Sequence, residues 1–318
     1  MKFSVVAIAG LVSAVLAHRE TLSSRELHRR STISKRCEAS AGQFNWKRMA
    51  KRWAGGGNST FEIQTEAPYY DSIQNDTCVL SPTVTEGPYV WPRSQTLRQD
   101  MSDNQPGVPL WMDIGVIDVN TCEPLPNVLV NLWHCNATGS YSSFTGLSPN
   151  IPFEQLLEQL GVDIGSLMNG TVNLHTDDEI FLRGMWPTDA EGVTEMKTTF
   201  PGFYVERAIH IHVQVYTDWT LHSNGTVYAG NVVSTGQLFF DEPLSEQIMA
   251  LEPYSLHTQI NRTLNSVDSV FAESGNYNPV MSIVPADGED VTKGVIGYIT
   301  IGVDPTASGT GGGGAPPS

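Results

Sequence analysis

Eight short apolar runs separated by turn signals constrain this chain more than any other feature. They are Trp111–Val119, Val128–Trp133, Ile180–Met185, Glu195–Thr199, Ile209–Tyr216, Val227–Val233, Gln237–Phe240 and Gly294–Val303. Runs of this length, rich in β-branched residues and closed by Gly, Pro, Asn or Asp, read as strands. No regular strand–helix alternation joins them, so a parallel βαβ architecture is excluded. The expected fold is mainly β: an antiparallel β-sandwich with short helices in its loops and an irregular N-terminal arm. The first two runs, joined through Pro124 and Pro126, are expected to pair as a hairpin. One amphipathic helix is expected over Phe153–Leu160, where apolar residues fall at Phe153, Leu156, Leu157 and Leu160. A helical turn is expected over Glu246–Leu251.

The ends of the chain have a different composition. Residues 1–17 combine Lys2, an apolar stretch from Val5 to Leu16 and small residues before Ala17, which is the pattern of a secretory signal. Residues 18–36 are basic and end in dibasic pairs, as a propeptide would. Residues 37–77 form the arm, 78–305 the sandwich domain, and 306–318 a disordered tail rich in Gly, Pro and Ser. Six N-x-[ST] sequons, at Asn58, Asn75, Asn136, Asn169, Asn224 and Asn261, fit a secreted, N-glycosylated protein. Four cysteines suit an oxidising compartment. Eight strand residues span ~26 Å, far more than a disulfide tolerates, so Cys122 and Cys135, at opposite ends of the second run, are not expected to pair. The net charge is −16, and loss of residues 1–36 would deepen it to −21, which argues against nucleic-acid binding. Beyond the leader, no segment reaches the ~18 apolar residues a membrane span needs.

The chemistry concentrates in Phe200–Val213. His210 and His212 lie two apart on a strand and therefore share a face. Two imidazoles presented to one point suit a metal ion. Tyr204 and Arg207 stand just upstream. The run Trp133-His134-Cys135-Asn136-Ala137-Thr138-Gly139-Ser140 leads into Tyr141, a phenol beyond a glycine turn at a strand end. Together Tyr141, Tyr204, His210 and His212 would offer two phenolate oxygens and two imidazole nitrogens. Phenolate is a hard anionic donor suited to a trivalent ion, and imidazole suits iron as well. His134 reads as a structural, hydrogen-bonding histidine. His175, His222 and His257 stand in polar stretches and read as surface residues. Tyr89 either lines a site or packs.

Five segments in this order resemble the intradiol ring-cleavage dioxygenases: Thr83–Tyr89, Val130–Tyr141, Phe181–Gly192, Pro201–His212 and Gly236–Phe240. The resemblance covers about residues 78–243. It implies Fe(III) held by Tyr141, Tyr204, His210 and His212, with Tyr204 the ligand displaced by substrate. It implies Arg207 as the fixed cation beside developing negative charge and Gln237 as the group orienting substrate or oxygen. The implied substrates are a catechol and O2. The ring is cleaved between its two hydroxylated carbons to give a muconate-type diacid, with no organic cofactor. The short Tyr204–Arg207 spacing and the long connection from His212 to Gln237, with its sequon, suit an open-sited, secreted branch that could be monomer or homodimer. The alternative is a non-catalytic secreted binding or surface protein on the same scaffold.

Overall fold

The computed structural model describes residues 37, 40–41, 78–79, 87–90, 96–168, 172–221, 227–273 and 279–307. The expected leader, propeptide and tail, most of the arm, His222 and four of the six sequons lie outside them. Among the described residues, nine strands form two sheets. The first contains β1 (Cys78–Val79), β2 (Pro109–Asp118), β5 (Val193–Thr199), β8 (Ser282–Pro285) and β9 (Val295–Val303). Its order is β1-β9-β2-β5, with β8 pairing on β9. The second contains β3 (Leu129–Trp133), β4 (Arg183–Pro187), β6 (His210–Leu221) and β7 (Val227–Phe239) in the order β4-β3-β6-β7. The helices are α1 (Phe153–Leu160), α2 (Ile164–Met168), α3 (Glu242–Met249) and α4 (Ser269–Glu273).

The β-sandwich expectation is met, with α1 on the expected residues. The first sheet is mixed, however, because β9 runs parallel to both β2 and β1. A parallel neighbour requires a long crossover, and the chain between β2 and β9 supplies one by passing through the whole second sheet.

The expected hairpin of β2 and β3 does not form, since the two strands lie in different sheets. The turn starts as a hairpin: Asp118 N donates to Glu123 O at 2.9 Å and Leu125 N to Val116 O at 2.9 Å. Pro124 and Pro126 have no N–H with which to continue the ladder. Asn127 N bonds instead to Thr188 O at 3.0 Å, carrying the chain across to the second sheet. The expected strands Val227–Val233 and Gln237–Phe240 are one strand, β7. The Ser234-Thr235-Gly236 stretch reads as a break, yet it stays in the ladder beside a register shift opposite Val215 and Tyr216. The expected turn at Glu246–Leu251 is the second half of α3, which starts earlier because Asp241 caps it by accepting from Leu244 N at 2.8 Å.

Alternation on β6 distributes its side chains between two environments. Ile211, Val213 and Val215 face inward and pack with Val130 and Leu132 of β3 against Leu110, Met112, Ile114, Ile299 and Ile301 of the opposite sheet. The intervening His210, His212, Gln214 and Tyr216 therefore take the outer face. That face is covered too: Trp133, Tyr141, Phe144, Leu147, Leu174 and the α1 residues Leu156 and Leu157 form a second apolar cluster over it. All five residues of β3 are buried as a result. Gly161 ends α1 in the left-handed conformation at φ 65°, which glycine adopts without a Cβ penalty. A disulfide joins Cys37 to Cys122, and Cys135 is a buried free thiol, consistent with the expected absence of a Cys122–Cys135 bond. No helix among the described residues is long and apolar enough to cross a membrane.

Ile211 is fully buried at the centre of the inter-sheet core. Replacing it with alanine is expected to destabilise the fold by about 2–5 kcal/mol, read as a lowered urea midpoint at unchanged denaturant sensitivity.

Candidate metal centre

Strand register assembles the site on the outer face of the second sheet. Arg183 on β4 pairs with Trp133 on β3, Trp133 with His212 on β6, and His212 with Gln237 on β7. Directly paired residues share a face, so these four side chains form one row across all four strands. Trp133 stacks on the His212 ring with centroids 4.8 Å apart and planes 5° from parallel. His210 stands one step along β6, its ring centroid 4.7 Å from that of His212.

The loops complete the site from above. Beyond β3, Asn136 Oδ1 accepts from Thr138 N at 3.1 Å and Ser140 N at 3.0 Å. The tight turn it closes needs Gly139 at φ 86°, where a Cβ would strike Phe203 O. The turn delivers Tyr141, buried, with its ring centroid 5.7 Å from that of Tyr204. Tyr204 comes from the segment before β6, its hydroxyl 3.3 Å from His210 Nε2. The expected quartet of Tyr141, Tyr204, His210 and His212 is thus brought together. Tyr89 joins it, stacked on Tyr141 at 4.4 Å and edge-on to Tyr204 at 5.9 Å. Gly87 lies so close to His212 that a Cβ there would sit 3.3 Å from Cε1.

A hydrogen bond fixes the tautomer of His210. His210 Nδ1 lies 2.7 Å from the Ala208 carbonyl, which can only accept, so Nδ1 carries the proton. Its Nε2 is then a bare lone pair, 3.1 Å from His212 Nε2. Burial first, then the nearby Arg207 for His210 and the other imidazole for His212, hold both rings neutral, with pKa values well below the usual histidine range. Two neutral imidazoles thus aim their Nε2 atoms at one another. Burial also drives the phenols upward, Tyr204 to about 12 and Tyr141 well above its ordinary value. The Tyr141 hydroxyl is buried with no hydrogen-bond partner.

These features fit a metal ion. A buried phenol with no partner among the described residues is costly, and the two Nε2 atoms, 3.1 Å apart, stand where one bound cation could take both. Among the described residues, no three His, Cys, Asp or Glu side chains gather as ligands, so a cation at the histidine pair would have to draw on tyrosine oxygens. Phenols with raised pKa values ionise only for a strong Lewis acid, which favours a trivalent ion over a divalent one.

Arg207 and Gln237 stand at the rim. Arg207 Nη1 is 3.4 Å from the Tyr204 hydroxyl, and Nη2 donates to Gln237 Oε1. An arginine can only donate, so it fixes the Gln237 amide with its oxygen toward the guanidinium. Gln237 Nε2 is left buried and unpartnered. Gln237 lies near the end of β7 rather than at the strand start expected from the sequence.

The remaining histidines divide. His134 is structural, as expected: Nδ1 donates to Cys135 O at 2.8 Å and Nε2 accepts from Thr198 Oγ1 at 2.7 Å. His257, expected on the surface, is buried, stacked on Phe203 at 4.6 Å and bonded to Asn150 Oδ1 at 2.6 Å. Its polar neighbours Ser255 and Thr258 hide this, because a short 3₁₀ turn over Tyr254–Leu256 points it inward. Two residues escaped the sequence reading of the site. Arg183 donates to Ser142 Oγ, Ser142 O and Tyr89 O at 2.7–2.8 Å and ties the loops of Tyr141 and Tyr89 together. An arginine inside an apolar run was the available signal. Asp268 pairs with Arg207 at 2.9 Å and carried no such signal.

Comparison with known proteins agrees with the geometry. The family model described as Dioxygenase matches residues 85–222. The structure is similar to an intradiol ring-cleavage dioxygenase from Tetranychus urticae, at 27% identity and a TM-score of 0.59, covering 73% of this chain and 98% of that one. By sequence and by fold, the chain is similar to the intradiol ring-cleavage dioxygenases. A second solved dioxygenase matches at 27% identity and a TM-score of 0.57, with coverage of 73% and 98%. The dioxygenase domain of a carbohydrate-binding fusion from Streptomyces sp. SirexAA-E matches at 22% identity and a TM-score of 0.42, with coverage of 71% and 98%. No curated protein matches at a significant level.

The buried histidines predict an acid weakness in the metal-free protein. His134 is held at about 4, and burial lowers His210 and His212 as well. Below about pH 6.5 the unfolded chain takes up protons that the fold refuses, so stability falls with pH. His134 alone is expected to remove about 3 kcal/mol between pH 6.5 and 4. Urea unfolding across that range should show the decline, and His134→Gln should make it shallower, leaving the part due to His210 and His212.

Proposed function

We propose that this protein is a secreted, Fe(III)-dependent intradiol dioxygenase that cleaves catechols with O2 between the two hydroxylated carbons. The observation that carries this reading is the convergence of Tyr141, Tyr204, His210 and His212 on one point, with an unsatisfied phenol and two facing imidazole nitrogens. Bound there, Fe(III) would draw electron density from a chelated catecholate and so make the ring reactive toward O2.

The protein's own groups hold and orient the reactants. Ala208 O holds the proton of His210 on Nδ1, and Trp133 stacking holds the His212 ring in orientation. Tyr204 has a second partner in Arg207, so its oxygen has somewhere to go when a substrate oxygen takes its place. Arg207 is permanently charged and desolvated, which makes it effective where negative charge develops on the ring-derived oxygens. The amide nitrogen of Gln237 supplies a donor that no described residue uses. Burial excludes water from the histidine pair. A binding module would gain nothing from leaving these donors unsatisfied. Secretion and N-glycosylation are supported by residues 1–17, the sequons and the Cys37–Cys122 disulfide.

The purified protein is expected to be red-brown from tyrosinate-to-iron charge transfer, and anaerobic catechol should shift that band. A colourless chain that takes up no iron would defeat the reading. Tyr204→Phe and His212→Ala are each expected to abolish conversion of catechol to the ring-opened diacid while keeping the far-UV circular dichroism of the wild type.

A further inference from the structure

The carboxylate of Asp268 is wholly buried and uses both oxygens to join two parts of the chain. Oδ2 accepts from Arg207 Nε at 2.9 Å and from Ala208 N at 2.7 Å. Oδ1 accepts from Val270 N at 2.7 Å and Phe271 N at 3.0 Å, capping the first turn of α4. The segment carrying it is itself anchored. Asn265 Nδ2 donates to Phe240 O at 2.8 Å, and Arg262 pairs with Glu242 at 2.6 Å. Phe271 rests edge-on against Phe239 at 5.1 Å, and Phe239 in turn packs beside His210 at 5.8 Å. Asp268 lies outside the part of the chain matched to the dioxygenase family model, residues 85–222.

Arginine is a long side chain with many rotamers, and holding one in place costs conformational entropy. Here Nε is fixed by Asp268, which leaves Nη1 for Tyr204 and Nη2 for Gln237. Without a fixed Nε, both outer contacts have to be held by the guanidinium tip alone. We propose that Asp268 is the positioning residue of the site, setting the orientation of Arg207 and through it the alignment of Tyr204 and Gln237 for ring cleavage. The proposal rests on the dioxygenase reading for its effect on rate, but the positioning itself does not need iron.

The test separates the two. In Asp268→Asn, Oδ1 can keep capping α4 while the amide NH₂ meets the donors Arg207 Nε–H and Ala208 N–H, so the orienting bonds are lost and the cap survives. Asp268→Ser keeps an N-cap acceptor and removes the carboxylate. Either variant is expected to lower kcat on catechol about 10- to 100-fold, with KM and iron content within about 2-fold of wild type. In an Arg207→Gln background the Asn substitution should have no further effect on kcat. Multiplying losses in the double variant, or an unchanged kcat in the single one, would overturn the proposal. An activity-free reading uses the wild-type, metal-free protein, in which the Arg207 Nε–H nuclear magnetic resonance should exchange slowly with solvent. Rapid exchange of that proton would equally overturn it. A wild-type chain without iron or ring cleavage, but with a protected Arg207 Nε–H that Asp268→Asn exposes, would defeat the dioxygenase reading alone.

Discussion

Strand β6 has to serve two buried faces at once, and the rest of the molecule follows from how it does so. Its odd-numbered residues Ile211, Val213 and Val215 build the inter-sheet core. Its even-numbered residues His210 and His212 point the other way and are nonetheless buried. A one-residue slip would put imidazoles into the core and isoleucine into the site. Register is therefore specified twice over. The same register sets His212 between Trp133 and Gln237, so the energy that pairs the strands also aligns the candidate ligands.

Burial of this many polar groups runs against stability unless each finds a partner. Arg183 finds two backbone carbonyls and a serine, and Arg207 finds Asp268 and Gln237. His134 has both nitrogens satisfied. The Tyr141 hydroxyl, His212 Nδ1 and Gln237 Nε2, each buried and without a partner among the described residues, belong to a single neighbourhood. Three such atoms side by side, among arginines that are themselves well paired, need an explanation that a single stray atom does not.

The strands and the four candidate ligands were legible in the sequence because they depend on local rules. Period-two alternation exposes β6, and Gly139 marks the turn before Tyr141. Most of the failures are non-local, the early start of α3 at the Asp241 cap being a local exception. Nothing in residues 111–133 says that two consecutive strands belong to opposite sheets; that follows from Thr188 accepting Asn127 N, a contact 61 positions away. The burial of His257 depends on Asn150 and Phe203. Ser234-Thr235-Gly236 looks like a turn until β6 supplies a partner for each residue.

Asp268 is the extreme case of the same limitation. An aspartate before Ser-Val-Phe reads as a helix cap, and it is one. Its other oxygen acts 60 residues back along the chain, on Ala208 and Arg207. Only the crossover from β7 to β9, which returns the chain past the mouth of the site, makes that contact possible. The connection that brings the chain back from the second sheet to the first is thus also what places a carboxylate behind Arg207. A shorter return would still complete the sandwich, but it would leave the guanidinium without a fixed end.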